Sequence, residues 1–505
     1  MAAAGRVCAQ RVWKGCAALL VVGLPPALPA AAWAGGPSGT PIAAETAGQG
    51  PAGGPPAQRA PAAGHPPPAG QEAAGGTLAE PAPAAGALAG FHYKIGFEAK
   101  VNYRVSPDAR FAVPFRFRPD QLPVGATHAY EETVNPGSHF EVSNLTLLAD
   151  GAWADLVKAH LKLDVINLYY RNPTSTDRKY EVTELWLRAG RETAPAALPP
   201  GSGAYLKAGK FAKFERQNDR HLESYGLVST AFNRFEDLGA ELGADLGRHL
   251  YAKLSWTAGN PVFLRDPNAL AGDNGTPALL RPHPDPRLHT GVDILYDTHV
   301  DHVNFDHPQL GAAAGARFAD ESGSRGLDLR VWGRRRTLAP AVGLAGTFYR
   351  GDLRVLMGPP GFEILPITGD RKREAGANLW LYLGGFSLFG QFVDQRLAGL
   401  PRRGYEGEAA WRLELPLWFA AAGHQLLTSI QPAVRFSRLE NGFKNILPTP
   451  APSFAWNWDK LDAGLRVGLL SGIDLTAEYA DNTFTLASGA KKHEYEFLST
   501  LRLRV

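Results

Sequence analysis

Seven residues that are polar, charged or glycine recur at every second position near the start of one long stretch. They are His92, Lys94, Gly96, Glu98, Lys100, Asn102 and Arg104. Lys158, His160, Lys162 and Asp164 repeat the spacing, and Arg330, Arg334 and Arg336 share one parity further on. Period two places such side chains on one face of a β-strand. A cationic face in contact with water attracts anions, and rings of Arg or Lys suit an anion pore. The candidate pore-lining residues are therefore Lys94, Lys100, Arg104, Lys158, Lys162, Arg330, Arg334 and Arg336. Glu98, Asp164, Asp328, Glu406, Glu408 and Glu478 fall on the same kind of face. Its charge is thus mixed, with at most a modest basic excess and a weak anion preference.

A second charged group lies in 213–236. Lys213, Arg216, Asp219, Arg220, Glu223 and Arg234 stand there with Glu215. If this loop narrows a pore, opposed charges across the gap set up a field that selects ions. The competing reading is a surface loop whose charges are solvated.

Other chemistries find little footing. No Gly-x-Ser-x-Gly or His-Glu-x-x-His motif is present. His283, His289, His299, His302 and His307 are interleaved with Asp297, Asp301 and Asp306, but their spacing fits no defined metal site. No metal or other cofactor is expected. The only cysteines are Cys8 and Cys16. Lys+Arg number 52 against 49 Asp+Glu, which lacks the basic excess of nucleic-acid binders.

The elements that must carry these residues are strands. Opposite the polar set stand Phe91, Tyr93, Ile95, Phe97, Ala99, Val101, Tyr103 and Val105. Leu461, Ala463, Leu465 and Val467 repeat the apolar face, as do Ile473, Leu475, Ala477 and Tyr479. Ordinary soluble strands run to about 5–6 residues, and the first of these alternates for longer. Tight turns are expected at Asp150-Gly151, Gly247-Arg248, Arg350-Gly351, Gly384-Gly385 and Ser471-Gly472. Longer connections fall between them, near 106–138, 170–180, 213–236, 260–308, 358–375, 439–458 and 482–492. Short and long connections taking turns are a mark of a transmembrane β-barrel. A chain with no apolar helical span can cross lipid only by closing its strands on themselves. The expected fold is all-β, a transmembrane antiparallel barrel over 91–505 of about 18 strands, with 16 as the alternative count.

Two segments precede it. Residues 1–34 read as an export signal. Arg6, Arg11 and Lys14 form a basic start, Ala17 to Leu24 an apolar core, and Ala32-Trp33-Ala34 a small-x-small cleavage site. Residues 35–88 are dominated by Pro, Ala and Gly and read as a disordered spacer.

One region also carries a family likeness. It reads Tyr-Leu-Lys-Ala-Gly-Lys-Phe at 205–211, Phe-Glu-Arg at 214–216, His-Leu-Glu-Ser at 221–224 and Glu-Asp-Leu-Gly-Ala-Glu-Leu-Gly at 236–243. LYAKLSWTAGNP follows at 250–261. These blocks resemble outer-membrane channels of the phosphate-selective porin O and P type. The resemblance implies a channel for passive diffusion of small hydrophilic solutes and ions, a Gram-negative outer-membrane location and a homotrimer. The chain departs from that pattern at Ala212-Lys213-Phe214-Glu215, which weakens the phosphate assignment, and at its final residue, Val505. Outer-membrane lipid and lipopolysaccharide are the further expected partners, with Arg334-Arg335-Arg336 near an outer rim. A receptor or binding protein and a barrel hydrolase are the alternatives. No enzyme activity and no nucleic-acid partner are expected.

Overall fold

The computed structural model describes residues 90–106, 110–113, 129–132, 137–154, 156–167, 181–191, 203–217, 220–232, 236–259, 262–263, 288–289, 294–295, 305–320, 324–338, 344–345, 368–416, 420–421, 424–442, 457–485 and 489–505. Residues 1–34 and 35–88, with the expected export signal and spacer, lie outside them.

Sixteen antiparallel strands close into a ring. In chain order they are β1 (Phe91–Ser106), β2 (Gly137–Trp153), β3 (Val157–Asn167), β4 (Glu181–Gly190), β5 (Ala204–Phe211), β6 (Asp237–Leu246), β7 (Leu250–Thr257) and β8 (Gln309–Ala319). There follow β9 (Arg325–Thr337), β10 (Arg371–Leu383), β11 (Phe386–Leu397), β12 (Leu400–Trp411), β13 (Ser429–Asn441), β14 (Asn457–Leu470), β15 (Ile473–Thr485) and β16 (Lys491–Arg504). Each pairs with its sequence neighbours, and β1 pairs with β16 to shut the ring. Leu413–Glu414 continues β12 along the same neighbour. No ring strand is left with a row of unpaired backbone groups.

The lower strand count is the correct one. The higher count included weak strands near 110–118 and 339–358, most of which lie outside the described residues. Arg110–Val113 pairs outside the ring with Ala129–Glu132. β9 pairs directly with β10, with no strand between them. The turn expected at Arg350-Gly351 lies outside the described residues. Gly247, Gly384 and Gly472 do sit in turns, each with positive φ. Asp150-Gly151 does not. Asp150 pairs with Lys94 and Gly151 with Tyr93 inside β2, and the chain turns just beyond, where Ala154 takes φ 47. An Asp-Gly pair permits a turn, but here continued pairing with β1 keeps it in the strand.

The barrel is inside-out relative to a soluble protein. Ile95, Leu206, Leu254, Leu329, Leu461 and Leu501 are exposed on its outer face. Leaving such side chains in water forfeits roughly 1.5–3 kcal/mol each, so this face is built for lipid. Aromatic pairs mark its edges, Tyr103 with Phe140 and Trp256 with Phe305 near the long connections, Phe91 with Tyr93 near the short turns. The alternate positions point inward and are polar: Arg104, Asp328, Arg435, Asp462, Glu478 and Glu496 are all buried. No described helix is long and apolar enough to cross a membrane.

Candidate functional site

The connection between β5 and β6 runs inside the ring. Phe214, Leu222, Leu227, Val228, Ala231 and Phe232 are buried, although they belong to no ring strand. The last four lie on a six-residue helix, α1 (Leu227–Phe232). Their apolar side chains meet lumen-facing Trp332, Val393, Leu439, Trp458 and Phe484 from β9, β11, β13, β14 and β15. A small hydrophobic core thus forms inside a polar barrel. Gly404 on β12 makes room for it, since a Cβ there would lie 2.7 Å from the Phe232 ring and 2.8 Å from Val228.

Wall side chains hold the segment by its backbone. Glu406 on β12 accepts from the amides of Val228 and Ser229 at 3.0 and 3.4 Å and from Ser229 Oγ at 2.7 Å. A carboxylate at that end of α1 satisfies helix amides that have no internal partner. Glu478 on β15 accepts from the amides of Glu223 and Ser224 at 2.7 and 2.9 Å. Lys460 on β14 donates to Tyr225 O at 2.8 Å. Arg435 on β13 donates to Ser224 Oγ at 2.7 Å, to Asp462 at 3.0 Å and to Glu408 at 3.2 Å. Charge-assisted bonds to a buried backbone are strong, and no water competes for them.

The arginine series meets the same segment. Arg330, Arg334 and Arg336 all point into the lumen and are buried. Arg334 grips Glu215 with two nitrogens, at 2.9 and 2.8 Å. Arg330 donates to Phe214 O and to the Tyr251 hydroxyl. Arg336 donates to Ala258 O at 2.6 Å. These three charges are therefore occupied by the protein itself and present no open ladder to a solute. Arg104 on β1 is likewise buried, 3.3 Å from Glu496.

The opposite wall is different. Lys94, Lys158 and Lys162 face the lumen from β1 and β3 and stay half-exposed. Lys100 is half-exposed too and reaches Glu223 at 2.8 Å, tying β1 to the tip of the inward segment. His160 stacks on Trp186, and Lys207 lies 5.4 Å from the same indole.

Of the charged residues expected to narrow a pore, Lys213 is buried and donates to Phe232 O at 2.8 Å, closing the base of the segment. Burial pushes its ammonium below the ordinary value, against the pull of Glu374 and Glu215. Arg216 pairs with Glu236. Arg220 lies 3.7 Å over the Tyr225 ring. Glu223 joins Lys100 and Arg466. Its burial alone would raise the carboxyl; the pull of Lys100, Arg466, Arg502 and Arg220 outweighs it and sets the group well below 4.5. Arg216, Arg220, His221 and Tyr225 form the half-exposed edge of the segment. Asp219 and Arg234 lie outside the described residues.

Ser387, His221 and Glu408 stand in hydrolytic order, with Ser387 Oγ 3.2 Å from His221 Nε2 and His221 Nδ1 2.9 Å from Glu408. Ser387 sits within β11, however, paired on both sides with Tyr382 and Ala410. Backbone amides there are committed to the ladder and cannot hold an oxyanion. Glu408 also accepts from the His221 amide, Gln217 and Arg435. The three residues latch the inward segment to the wall. Among the described residues no cluster suited to a metal ion occurs, and most of the histidine-rich stretch at 283–307 lies outside them.

Sequence reasoning missed the docking wall, although a signal was available. Trp332, Val393, Leu439, Trp458 and Phe484 are large apolar residues on the watery parity of their strands. On β1, and on β3 from Lys158 to Asp164, that parity carries no large apolar residue.

No protein-family model matches the chain, and no curated protein matches it. Solved structures resemble it at low identity. The outer-membrane channel DcaP of Acinetobacter baumannii has a TM-score of 0.44 at 10% identity, over 83% of this chain and 99% of that one. Pseudomonas putida OprB has 0.44 at 8%, over 82% and 94%. Salmonella typhi OmpF, solved with daunomycin, has 0.43 at 8%, over 82% and 98%.

Proposed function

We propose that the chain is a porin of the Gram-negative outer membrane. Small hydrophilic solutes and ions cross it by passive diffusion through a water-filled gap. The gap lies between the half-exposed edge of the inward segment and the wall of β1 to β4. The carrying observation is the division of the lumen. The segment occupies the side of β9 to β15, where wall charges hold it, and leaves Lys94, Lys158, His160, Lys162 and Glu184 of the opposite side half-exposed. Long connections at one end and short turns at the other orient the long ones outward.

Arg216 and Arg220 face the gap on one side, Lys94, Lys158 and Lys162 on the other. The wall carboxylates Glu408, Asp462 and Glu478 are engaged away from it, while Glu98, Asp150 and Glu184 share the wall with the lysines and keep the cationic excess small. This distribution favours anions modestly, inorganic phosphate among them. Assembly as a homotrimer belongs to the same proposal and is read from the native mass of the detergent-solubilised protein.

Planar-bilayer recording in a salt gradient tests the reading. Stepwise conductance with a reversal potential of anionic sign is expected. A bilayer that stays sealed at high protein load refutes the channel, and a cationic sign refutes the preference.

A further inference from the structure

Outside the barrel, one cross-strand row crosses β7 to β12 near the end of the ring that bears the long connections. Its directly paired members are Trp256, Leu310, Arg335, Arg373, Arg396 and Pro401. The three arginines face outward and are exposed. They are direct register partners, Arg335 with Arg373 and Arg373 with Arg396. Like charges directly opposite on a sheet repel.

Neighbouring outward arginines avoid that cost by pairing. Arg403 bonds Asp394 at 2.8 Å, and Arg438 bonds Asp459 with two nitrogens, at 2.5 and 3.0 Å. Among the described residues no carboxylate pairs with Arg335, Arg373 or Arg396; the nearby Asp394 is taken by Arg403.

The row stands where the surface changes character. Directly below it lie the small Gly333 and Ala375 with the Asp394–Arg403 pair beside them, and beyond that row the outer face of β9 to β11 is apolar, with Val331, Ala377, Phe392, Leu329 and Leu379. Trp256, in the same row, stacks on Phe305 as an interfacial aromatic does. Above it, β11 and β12 are joined by the two-residue turn Ala398-Gly399, φ 50 and 88, so no long connection rises from that hairpin to cover the arginines. Left-handed φ at both central positions is the geometry of the tightest hairpins.

Resting on the outer-membrane reading above, we propose that Arg335, Arg373 and Arg396 bind the phosphorylated head group of an acylated glycolipid of the outer leaflet. Guanidinium groups take phosphate oxygens two at a time. One bridging anion relieves the repulsion across three strands, and the acyl chains lie on the apolar face of β9 and β10 below, past Gly333 and Ala375. A free inorganic anion would meet the same charges without using that face.

The test uses the purified barrel in detergent, with bisphosphorylated lipid A in mixed micelles as probe and calorimetric titration as readout. The native chain is expected to bind the lipid. The variant carrying Arg335→Gln, Arg373→Gln and Arg396→Gln together is expected to lose on the order of a hundredfold in affinity. Replacing the paired Arg403 and Arg438 by Gln should change affinity less than about twofold. Lipid A stripped of its phosphates should bind the native chain as weakly as the triple variant binds the intact lipid. Equal affinity of native and triple variant overturns the site. Displacement of the lipid by an equal concentration of pyrophosphate overturns the glycolipid in favour of a free anion. Arg373→Gln alone, the centre of the row, serves if the triple variant fails to assemble, and unchanged conductance certifies that either variant is folded.

Discussion

The two sides of the lumen obey the same alternation and end up with opposite roles. On β1 and β3 the inward face is polar throughout, and Lys94, Glu98, Lys100, Lys158, His160 and Lys162 stay half-exposed, while Asn102, Arg104 and Asp164 are buried. On β9 and β11 to β15 the inward face mixes charges with Trp332, Val393, Leu439, Trp458 and Phe484. Apolar groups on a face meant for water are unfavourable unless something covers them. The segment around α1 covers them, and the charges between them then bind its backbone. The difference teaches that a polar lumen residue is a pore residue only where nothing docks upon it. Arg330, Arg334 and Arg336 have the right parity and lie on the docked side, whereas Lys158 and Lys162 have the same parity and remain open.

The comparison breaks most severely at Glu215. Glu215→Ala leaves Arg334 buried without its bidentate partner, which typically costs about 3–5 kcal/mol. The expected outcome is a lower unfolding temperature and a larger, noisier single-channel conductance as the segment comes away. A quiet channel of native conductance would show that Arg334 does not hold the segment.

Gly404→Leu acts from the wall side. It drives a side chain into Val228 and Phe232, and overpacking of this kind costs about 1–3 kcal/mol. Limited proteolysis within 220–232 should speed up, with the barrel strands still protected.

The open wall answers in selectivity rather than stability. A unit charge at about 4 Å is worth about 1 kcal/mol in water. Lys158→Gln alone should therefore cut the anion-to-cation permeability ratio roughly fivefold, read from reversal potentials, with no change in thermal stability.

The smallest effect concerns pH. The Glu223 carboxyl is depressed below 4.5 in the folded protein. Its pairing with Lys100 and Arg466 is complete above that value and is lost only as pH falls through the depressed one. Conductance noise should stay flat down to pH 4.5 and rise only in stronger acid; a rise already at neutral pH would contradict the pairing.

Much of the fold was legible because membrane barrels write burial in reverse at period two. Phe91 to Val105 gave β1 and its facing, and Leu461 to Val467 gave β14. The strand count was harder, since Arg110–Val113 and Leu344–Ala345 are β-prone and pair outside the ring. The inward course of 213–236 could be posed as a question, but its docking wall could not be read locally. Val228 and Glu406 are 178 residues apart, and Glu223 and Glu478 are 255 apart. Only the misplaced apolar residues, such as Trp332 and Trp458, carried that information.

Thiol accessibility separates the two walls most directly. In protein whose Cys8 and Cys16 are replaced by Ser, Lys158→Cys and Ser437→Cys place one thiol on each side. Ser437 is fully buried and accepts from the Leu227 amide at 3.2 Å, whereas Lys158 is half-exposed to the lumen. A bulky anionic thiosulfonate added during bilayer recording should lower the conductance of the Lys158→Cys channel within minutes and leave the Ser437→Cys channel unchanged. Block of the Ser437→Cys channel with none at Lys158→Cys would mean that solutes pass on the side where the segment docks, and the division of the lumen described above would be wrong.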